Sequence, residues 1–546
     1  MSVSSDYVFG ANILDNLTTG MYTDSRVIYR EYIQNACDSI DEAERTGILV
    51  PGQGAVEIYT NDSKRTITIR DNGMGIPEQL FRKTLGNIAN SDKTLGESKG
   101  FRGIGRLCGL AYCETLVFSD KASGENTVSY MKCDAKLMRQ LINQNQSQRD
   151  MKLSAAEVLD QIISYDVSES KDIDSHWFEV ELINVNTENH ELLARESVID
   201  YLSFVAPVPF NKNFSYRTAI YSYTKEHNIQ LDEYVIKVNG EQIFKDYRTH
   251  VKTSKGEDHI FGVQFHELYN DSNEIIAWMW YGLRNFQAVI DKDSPQRGLR
   301  LRKENIQIGD EDVLQRLFKE DRGTHYFIGE VHAMARDLIP NSQRDYFNEN
   351  YMRNIFEYEI EQYFVDTLHR LYHAGNDFSA AVDKIEAYEK QRKEFEKKIK
   401  SGDYINDNQR TEAAAKVEKS KKNAEDAKKK ISTVTDRYKG DPDSRIYKVV
   451  TRIATERDAT KYIPADNSKE GDYTSNEEPE TAVDTKKEDP SKTEPQKKKT
   501  KWWTDRLPSV PKGERKLITR VIGVVRECVD EATMNKILDK IEEEFK

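Results

Sequence analysis

Glu31, Asn35 and Asp38 stand at i, i+4 and i+7 within IYREYIQNACDSIDEA, Ile28 to Ala43. On a helix this spacing sets two carboxylates and a carboxamide on one face. Ile28, Ile33, Ala36 and Ile40 accompany them and can face a core. Such a stripe is either the solvated side of an amphipathic helix or a polar row turned toward a ligand. Three further motifs follow in order. In DNGMGIP, Asp71 comes directly off the strand-like run TITIR, where its carboxylate can accept a hydrogen bond from an exocyclic amine. Gly73 and Gly75 would let a flat ligand approach the backbone, and a plain Asn-Gly turn is the simpler reading. TLGNIANSDKT carries Asn87, Asn90, Ser91 and Lys93 between Gly86 and Gly96 and suits a glycine-hinged lid, or an ordinary surface loop. GFRGIGRLCGLAYC spaces Gly100, Gly103 and Gly105 before an apolar helix start, where free backbone N–H groups can receive phosphate. No Gly-Lys-Ser/Thr follows, so it is not a Walker A loop, and no strand directly precedes it, as a dinucleotide fingerprint requires.

The elements that must position these groups read as mixed α/β. Helical patterns over 10–20 and 26–45 precede the alternating runs VEIYT and TITIRD, then ETLVFSD, NTVSYMKCD and HWFEVELINV. This order predicts an α/β sandwich over 1–185, with helices on one face of a mixed sheet. A second α/β region is expected over 186–375, with a strand, Asn-Gly turn and strand in DEYVIKVNGEQIF and a buried strand in EIIAWMWYGL. Residues 376–440, rich in Ala, Glu and Lys, predict a long-helix, coiled-coil-like arm, extended or folded back as an antiparallel hairpin. Residues 441–500 are expected to be a largely disordered linker, and 501–546 a small helical module, with the Lys-Trp patch KKKTKWWTDR at its entry. That patch could touch nucleic acid or an acidic partner, or simply end the linker at a docking Trp pair.

The chain has 546 residues, 80 basic and 93 acidic side chains and a net charge of -13, a balance that leans against a dedicated nucleic-acid binder. It has no apolar run of the ~18 residues a membrane span needs and no basic-then-apolar leader, and its five scattered cysteines suit a reducing cytoplasm. Cys108 and Cys113 have no further ligands spaced for a metal and read as packing residues.

The four motifs in this order resemble the GHKL ATPases: gyrase B, Hsp90, histidine kinases and MutL, with the MORC proteins. The likeness is closer to Hsp90, through TTGMYTDSRVIYREYIQNACDSI, LGNIANS and the glycine box, and more weakly through YLSFVAPVPF and LIPNSQRDYF. The resemblance implies an ATPase, slow and partner-dependent, that uses ATP and Mg²⁺. It implies Glu31 as the general base for water, Asn35 as the Mg²⁺ ligand and Asp38 as support for the pocket. It implies Asp71 at the adenine amine, Gly75 and Ile76 (with Gly73) along the base, and Asn90 and Ser91 on the ribose or phosphates. Gly100, Gly103 and Gly105 would wrap the triphosphate. A cation from the second region would complete the site, with Arg344 first and Arg300, Arg302 and Lys303 as rivals. Three positions in two stretches depart from Hsp90: Ser175 and His176 stand where a Gly-Thr pair is expected, so that Ser175 is the candidate substitute for the Thr, and Asn90 stands where lysine is usual. The implied output is ATP-driven lid closure and N-terminal pairing in a homodimer that remodels a protein partner. The alternative is a MORC- or MutL-like ATP-gated clamp on DNA, in which the long helices form an arm. No phosphoacceptor helix precedes residue 31, which counts against a sensor kinase.

Overall fold

The computed structural model describes residues 9–18, 20, 22, 24–88, 105–147, 152–404, 406–438 and 444–462, with Thr481, Ala482 and a few residues between 518 and 541. Asn90, Ser91, Gly100, Gly103 and the Lys-Trp patch lie outside the described residues. Among the described residues no helix is long and apolar enough to cross a membrane.

The first sheet is built from β1 (Ala55–Asn61), β2 (Thr66–Asp71), β3 (Cys113–Lys121), β4 (Thr127–Asp134), β5 (Ile163–Glu169), β6 (Trp177–Val185), β7 (Val235–Val238) and β8 (Glu241–Gln242). Its order is β5-β4-β3-β6-β2-β1-β7-β8. All neighbours are antiparallel except β1 and β7, which makes the sheet mixed, as expected. Alternation along the strands turns Val56, Ile58, Ile67, Ile69, Leu116, Phe118, Val180 and Leu182 into one core. Helices α1 (Asn12–Thr18), α2 (Val27–Arg45), α3 (Glu78–Gly86), α4 (Ala135–Ser147) and α5 (Ala155–Ile162) contribute to it, α2 through Ile28, Tyr29, Ile33, Ala36 and Ile40. Buried Cys37, Cys108, Cys113 and Cys133 are free thiols, and Cys108 and Cys113 pack in this core.

The sheet runs past the boundary at 185 that the sequence suggests. After α6 (Arg195–Val205) and α7 (Arg217–Glu226), β7 returns to pair with β1, Ala55 against Val235 through Ile58 against Val238. The same core takes in Ile236, Val238 and Ile243. The Asn-Gly turn between β7 and β8 is as expected: Asn239 and Gly240 both have positive φ, 49° and 85°, which a tight hairpin with right-handed twist requires.

Beyond a two-stranded ribbon, β9 (His250–Thr253) with β10 (Gly256–His259), lies the second sheet: β11 (Gly262–Tyr269), β12 (Ile275–Leu283), β13 (Gly298–Lys303), β14 (Ile306–Ile308) and β15 (Ile328–Ala333). Its order is β14-β13-β15-β12-β11, with Thr481–Ala482 beside β11. Both faces are covered, which is why β12 reads as an unbroken apolar run. Trp278 and Trp280 enter an aromatic core with Phe204, Phe210, Phe214 and Tyr247, while Ala277, Met279 and Tyr281 enter the other, helix-covered core.

That helical layer holds α8 (Tyr351–Tyr363), a π-turn over Phe364–Leu368 and α9 (His369–Ser401). The boundary suggested at 375 therefore falls inside α9, whose first turns bury Leu371, Tyr372, Phe378, Val382 and Ile385. Past Ile385, α9 leaves the core. α10 (Asp407–Tyr438) packs back along it and buries only Ala424, Ala427, Ile431 and Thr435. The expected helical hairpin is present. The start of the expected linker is not a linker: α11 (Arg445–Glu456) packs on α9 and buries Val449, Val450, Ile453 and Ala454. Its apolar residues at i, i+1, i+4 and i+5 make one continuous stripe, which outweighs the polar composition around it. In the last segment Ile522 and Leu538 pack with Ile518, Val525 and Ile541.

Ile453 is fully buried. Ile453→Ala is expected to destabilise the chain by about 2–5 kcal/mol, read as a lower urea midpoint. A midpoint equal to that of the unaltered chain would show that α11 is not packed there.

Candidate active site

The polar stripe of α2 is not a solvated face. Glu31 and Asp38 are buried and Asn35 is half-buried between them. The 3-10 turn Gly105–Ala111 lies across this helix: Tyr32 OH donates to Arg106 O at 3.0 Å and accepts from Gly109 N at 3.1 Å. A methyl at Gly105 would meet Glu31 Oε2 at 2.4 Å, so the last glycine of the box is the one that lets backbone lie against the carboxylate.

Asp71, the last residue of β2, is buried and its Oδ1 accepts from Gly73 N at 2.8 Å. Three anchors hold the loop that follows. Ser39 Oγ, one residue past Asp38 on α2, accepts from Met74 N at 3.0 Å. His176 Nδ1 lies 2.6 Å from Gly73 O. Asp120, near the end of β3, accepts from Ile76 N at 2.9 and 3.0 Å. A Cβ at Gly73 would strike Ser39 Oγ at 2.1 Å. Gly75, at φ +69°, would place one 2.4 Å from Lys121 O. The glycines are therefore dictated by close packing of this shelf against α2 and β3. Burial, with Asp71 and Glu125 nearby, pushes the Asp120 carboxyl up to about 8.

Ser175 does not take the place beside Asp71. It is drawn into its own loop, its N–H donating to Asp172 Oδ1 at 3.1 Å, and the neighbouring His176 is the side chain that reaches the shelf. Ser39, Asp120 and His176 have no local spacing signal. Only the pairing of β2 with β6 and the approach of α2 bring them to residues 71–76.

The four cations proposed from the second region separate cleanly. Arg300 donates to Gln307 Oε1 at 2.7 Å and lies over the Phe204 ring. Arg302 is fully buried, donating to Glu330, Asn305 O and Phe204 O. Lys303 Nζ donates to Ala335 O at 2.9 Å. All three stabilise the second sheet. Arg344 instead lies in the loop Pro340–Phe347, which closes as a small bridge between those two residues. Its φ is +54°, and its carbonyl accepts from Gly309 N at 2.8 Å. Burial pushes its guanidinium down and Glu31 pulls it back up. Next to it, Gln343 O accepts from Arg30 Nη2 at 3.0 Å, and Arg30 lies 3.3 Å from Glu31 Oε1. Arg30, Glu31 and Arg344 are all buried, and half-buried Tyr22 lies near enough to raise the pKa of Arg344.

α2 thus presents acid, amide and acid beside a glycine-built shelf on a mixed sheet. A family model described as histidine kinase-, DNA gyrase B-, and HSP90-like ATPase matches residues 22–166. Over 124 residues the chain is 30% identical to the chaperone protein HtpG of Ruthia magnifica subsp. Calyptogena magnifica, covering 20% of this chain and 20% of that protein. HtpG of Methylorubrum populi is 32% identical over 135 residues, 21% of each chain. HtpG of Shewanella sediminis is 32% identical over 124 residues, 20% of this chain and 19% of its own. The matches span about a fifth of the length of these relatives. Residues 22–166 are a GHKL-type ATPase domain, similar to part of the Hsp90-like HtpG chaperones.

Asp120 generates a pH prediction. Its folded carboxyl holds a proton to about 8, against an ordinary value of 3.8. Protonation therefore favours the fold: this contribution is complete below pH ~4 and is lost as pH rises toward ~8. Asn at 120 keeps an acceptor for Ile76 N without the charge. Between pH 5 and 8 the urea midpoint of the unaltered chain should fall more than that of Asp120→Asn. Parallel pH profiles would rule the effect out.

Proposed function

We propose that the chain binds ATP with Mg²⁺ between α2 and the 71–76 shelf and hydrolyses it to ADP and phosphate. The observation that carries this reading is that Arg30 of α2 reaches both Glu31 Oε1, at 3.3 Å, and Gln343 O, at 3.0 Å, which brings the buried loop residue Arg344 to the Glu31 end of α2. The residues present fit the nucleotide. Asp71, buried at a strand end, offers a carboxylate that can accept from an exocyclic amine, with Gly73, Gly75 and Ile76 beside it along the base. Asn35 offers a half-buried carboxamide oxygen on the same face as Glu31, a hard donor suited to a small divalent ion that keeps most of its waters. Mg²⁺, when bound, neutralises charge on the phosphate oxygens. Asp38, farther along the face, supports the adenine side.

Glu31 orients water and takes its proton. Arg30 beside it and Gly105 across it hold the carboxylate in place. Arg344 supplies positive charge where the transferring phosphoryl group gains negative charge. Its contribution depends on contact between the loop Pro340–Phe347 and α2, so hydrolysis is coupled to the relative placement of two sheets. That coupling suits a slow enzyme whose turnover follows conformational steps and a partner. Asn90 and Ser91 would close over the ribose or phosphates, Gly100 and Gly103 would receive the triphosphate with Gly105, and closure would pair two ATPase domains in a homodimer. The output is remodelling of a bound protein.

Steady-state ATP hydrolysis tests this. Glu31→Ala is expected to lower turnover by about 10²–10⁴-fold, and Arg344→Ala by about 10²–10³-fold, both with ATP binding retained. Arg344→Ala hydrolysing at the unaltered rate would remove that residue from the site. Double-stranded DNA is expected to leave the rate unchanged. Strong stimulation by DNA would replace the remodelling reading with that of an ATP-gated DNA clamp.

A further inference from the structure

At the base of the arm, His369 and His373 stand one turn apart at the start of α9 and face Glu320. Glu320 belongs to a different element, the residue just before the 3-10 turn Asp321–Tyr326. His369 Nε2 lies 3.6 Å and His373 Nε2 3.4 Å from the same carboxylate oxygen, Glu320 Oε1. All three ligand atoms lie within 4.8 Å of one another. Neither Nε2 has a hydrogen-bond partner, although both atoms are buried. The separations are long for a hydrogen bond but match a tetrahedral ion. Zinc bonds of 2.0–2.1 Å place neighbouring ligand atoms ~3.3 Å apart.

The surroundings suit that arrangement. Arg322 Nε donates to the other oxygen, Glu320 Oε2, at 2.7 Å, which orients the carboxylate and leaves Oε1 turned to the imidazoles. The rings pack against each other and against Tyr372, with centroids 4.3 Å apart for the histidine pair. The π-turn Phe364–Leu368 ends immediately before His369, an insertion of the kind often found at functional positions. Two imidazoles and one carboxylate select a borderline divalent transition ion over Mg²⁺, which prefers all-oxygen sites.

We propose that Glu320, His369 and His373 form a Zn²⁺-class site, completed by water, that ties the base of the helical arm to the second α/β layer. The site is separate from the nucleotide pocket and stands independently of the ATPase reading.

The test is titration of metal-free full-length chain with Zn²⁺ against a chromogenic chelator, with Co²⁺ absorption reporting coordination geometry. One equivalent is expected to bind, with tetrahedral Co²⁺ bands. Affinity should fall at least 10-fold in His373→Ala and also in Glu320→Gln, which alter different elements. Zn²⁺ should raise the melting temperature of the unaltered chain and of neither variant, while the metal-free melting temperatures stay alike. The absence of stoichiometric binding overturns the site, as does binding that survives both substitutions. Should His373→Ala lower the metal-free melting temperature, Glu320→Gln decides alone: retained affinity overturns the site and lost affinity supports it.

Discussion

A carboxylate shut away from water must be matched by positive charge, and the organisation of this molecule follows from where the match for Glu31 is found. Arg30 supplies part of it from the same helix. Arg344, held far along the chain in a loop of the second sheet, lies near enough for Glu31 to raise its pKa, and the neighbouring carbonyl of Gln343 is bonded to Arg30. The contact joins the helix that carries the polar stripe to the sheet that carries the loop. A change in one is therefore felt electrostatically by the other. Gly309 secures the loop from behind by donating to Arg344 O. Arg344 itself holds a backbone conformation that non-glycine residues rarely adopt.

The second sheet applies the same rule to a different end. Glu330, fully buried on β15, is surrounded by donors: Lys245, Tyr247, Trp280, Arg302 and His332. Burial and the neighbouring cations push His332 down to about 4 and Lys245 down to about 8, the price of burying so many polar groups on one face. Removing one member would leave the others buried and unmatched, which makes such a network sensitive to change. This accounts for buried Arg302 of β13, a strand whose other face carries Leu299 and Leu301.

The helical arm is anchored at its base and bare beyond it. α9 begins in the core and α10 returns to it through small alanines, which let the two helices approach closely. α11 then closes over the junction. Between Glu386 and Asn423 no described residue is buried. An arm of this kind gains its stability at one end, so its direction depends on how firmly the first turns of α9 are held against the second sheet.

Much of the site was legible in the sequence because its signals are local. The i, i+4, i+7 stripe needs only a helix, and that helix forms over Val27–Arg45. Asp71 needs only the end of an alternating strand, and β2 ends there. The Asn-Gly hairpin and the continuous apolar run of β12 were likewise local, one set by backbone conformation and the other by burial on both faces. Tertiary structure decided what depends on long-range pairing. β7 completes the first sheet because it lies parallel to β1, a pairing that no periodicity near residue 235 predicts. His176, not Ser175, reaches the shelf because the hydroxyl-bearing residue is held by Asp172. Arg344 stands apart from Arg300, Arg302 and Lys303 because those three find partners in their own sheet or just past its strand ends, while the loop of Arg344 reaches α2. Residue type and spacing determined which groups could do chemistry. The packing of one sheet's loop against the other sheet's helix determined which of them meet, since charge matching in a buried site is settled by proximity in space and not in sequence.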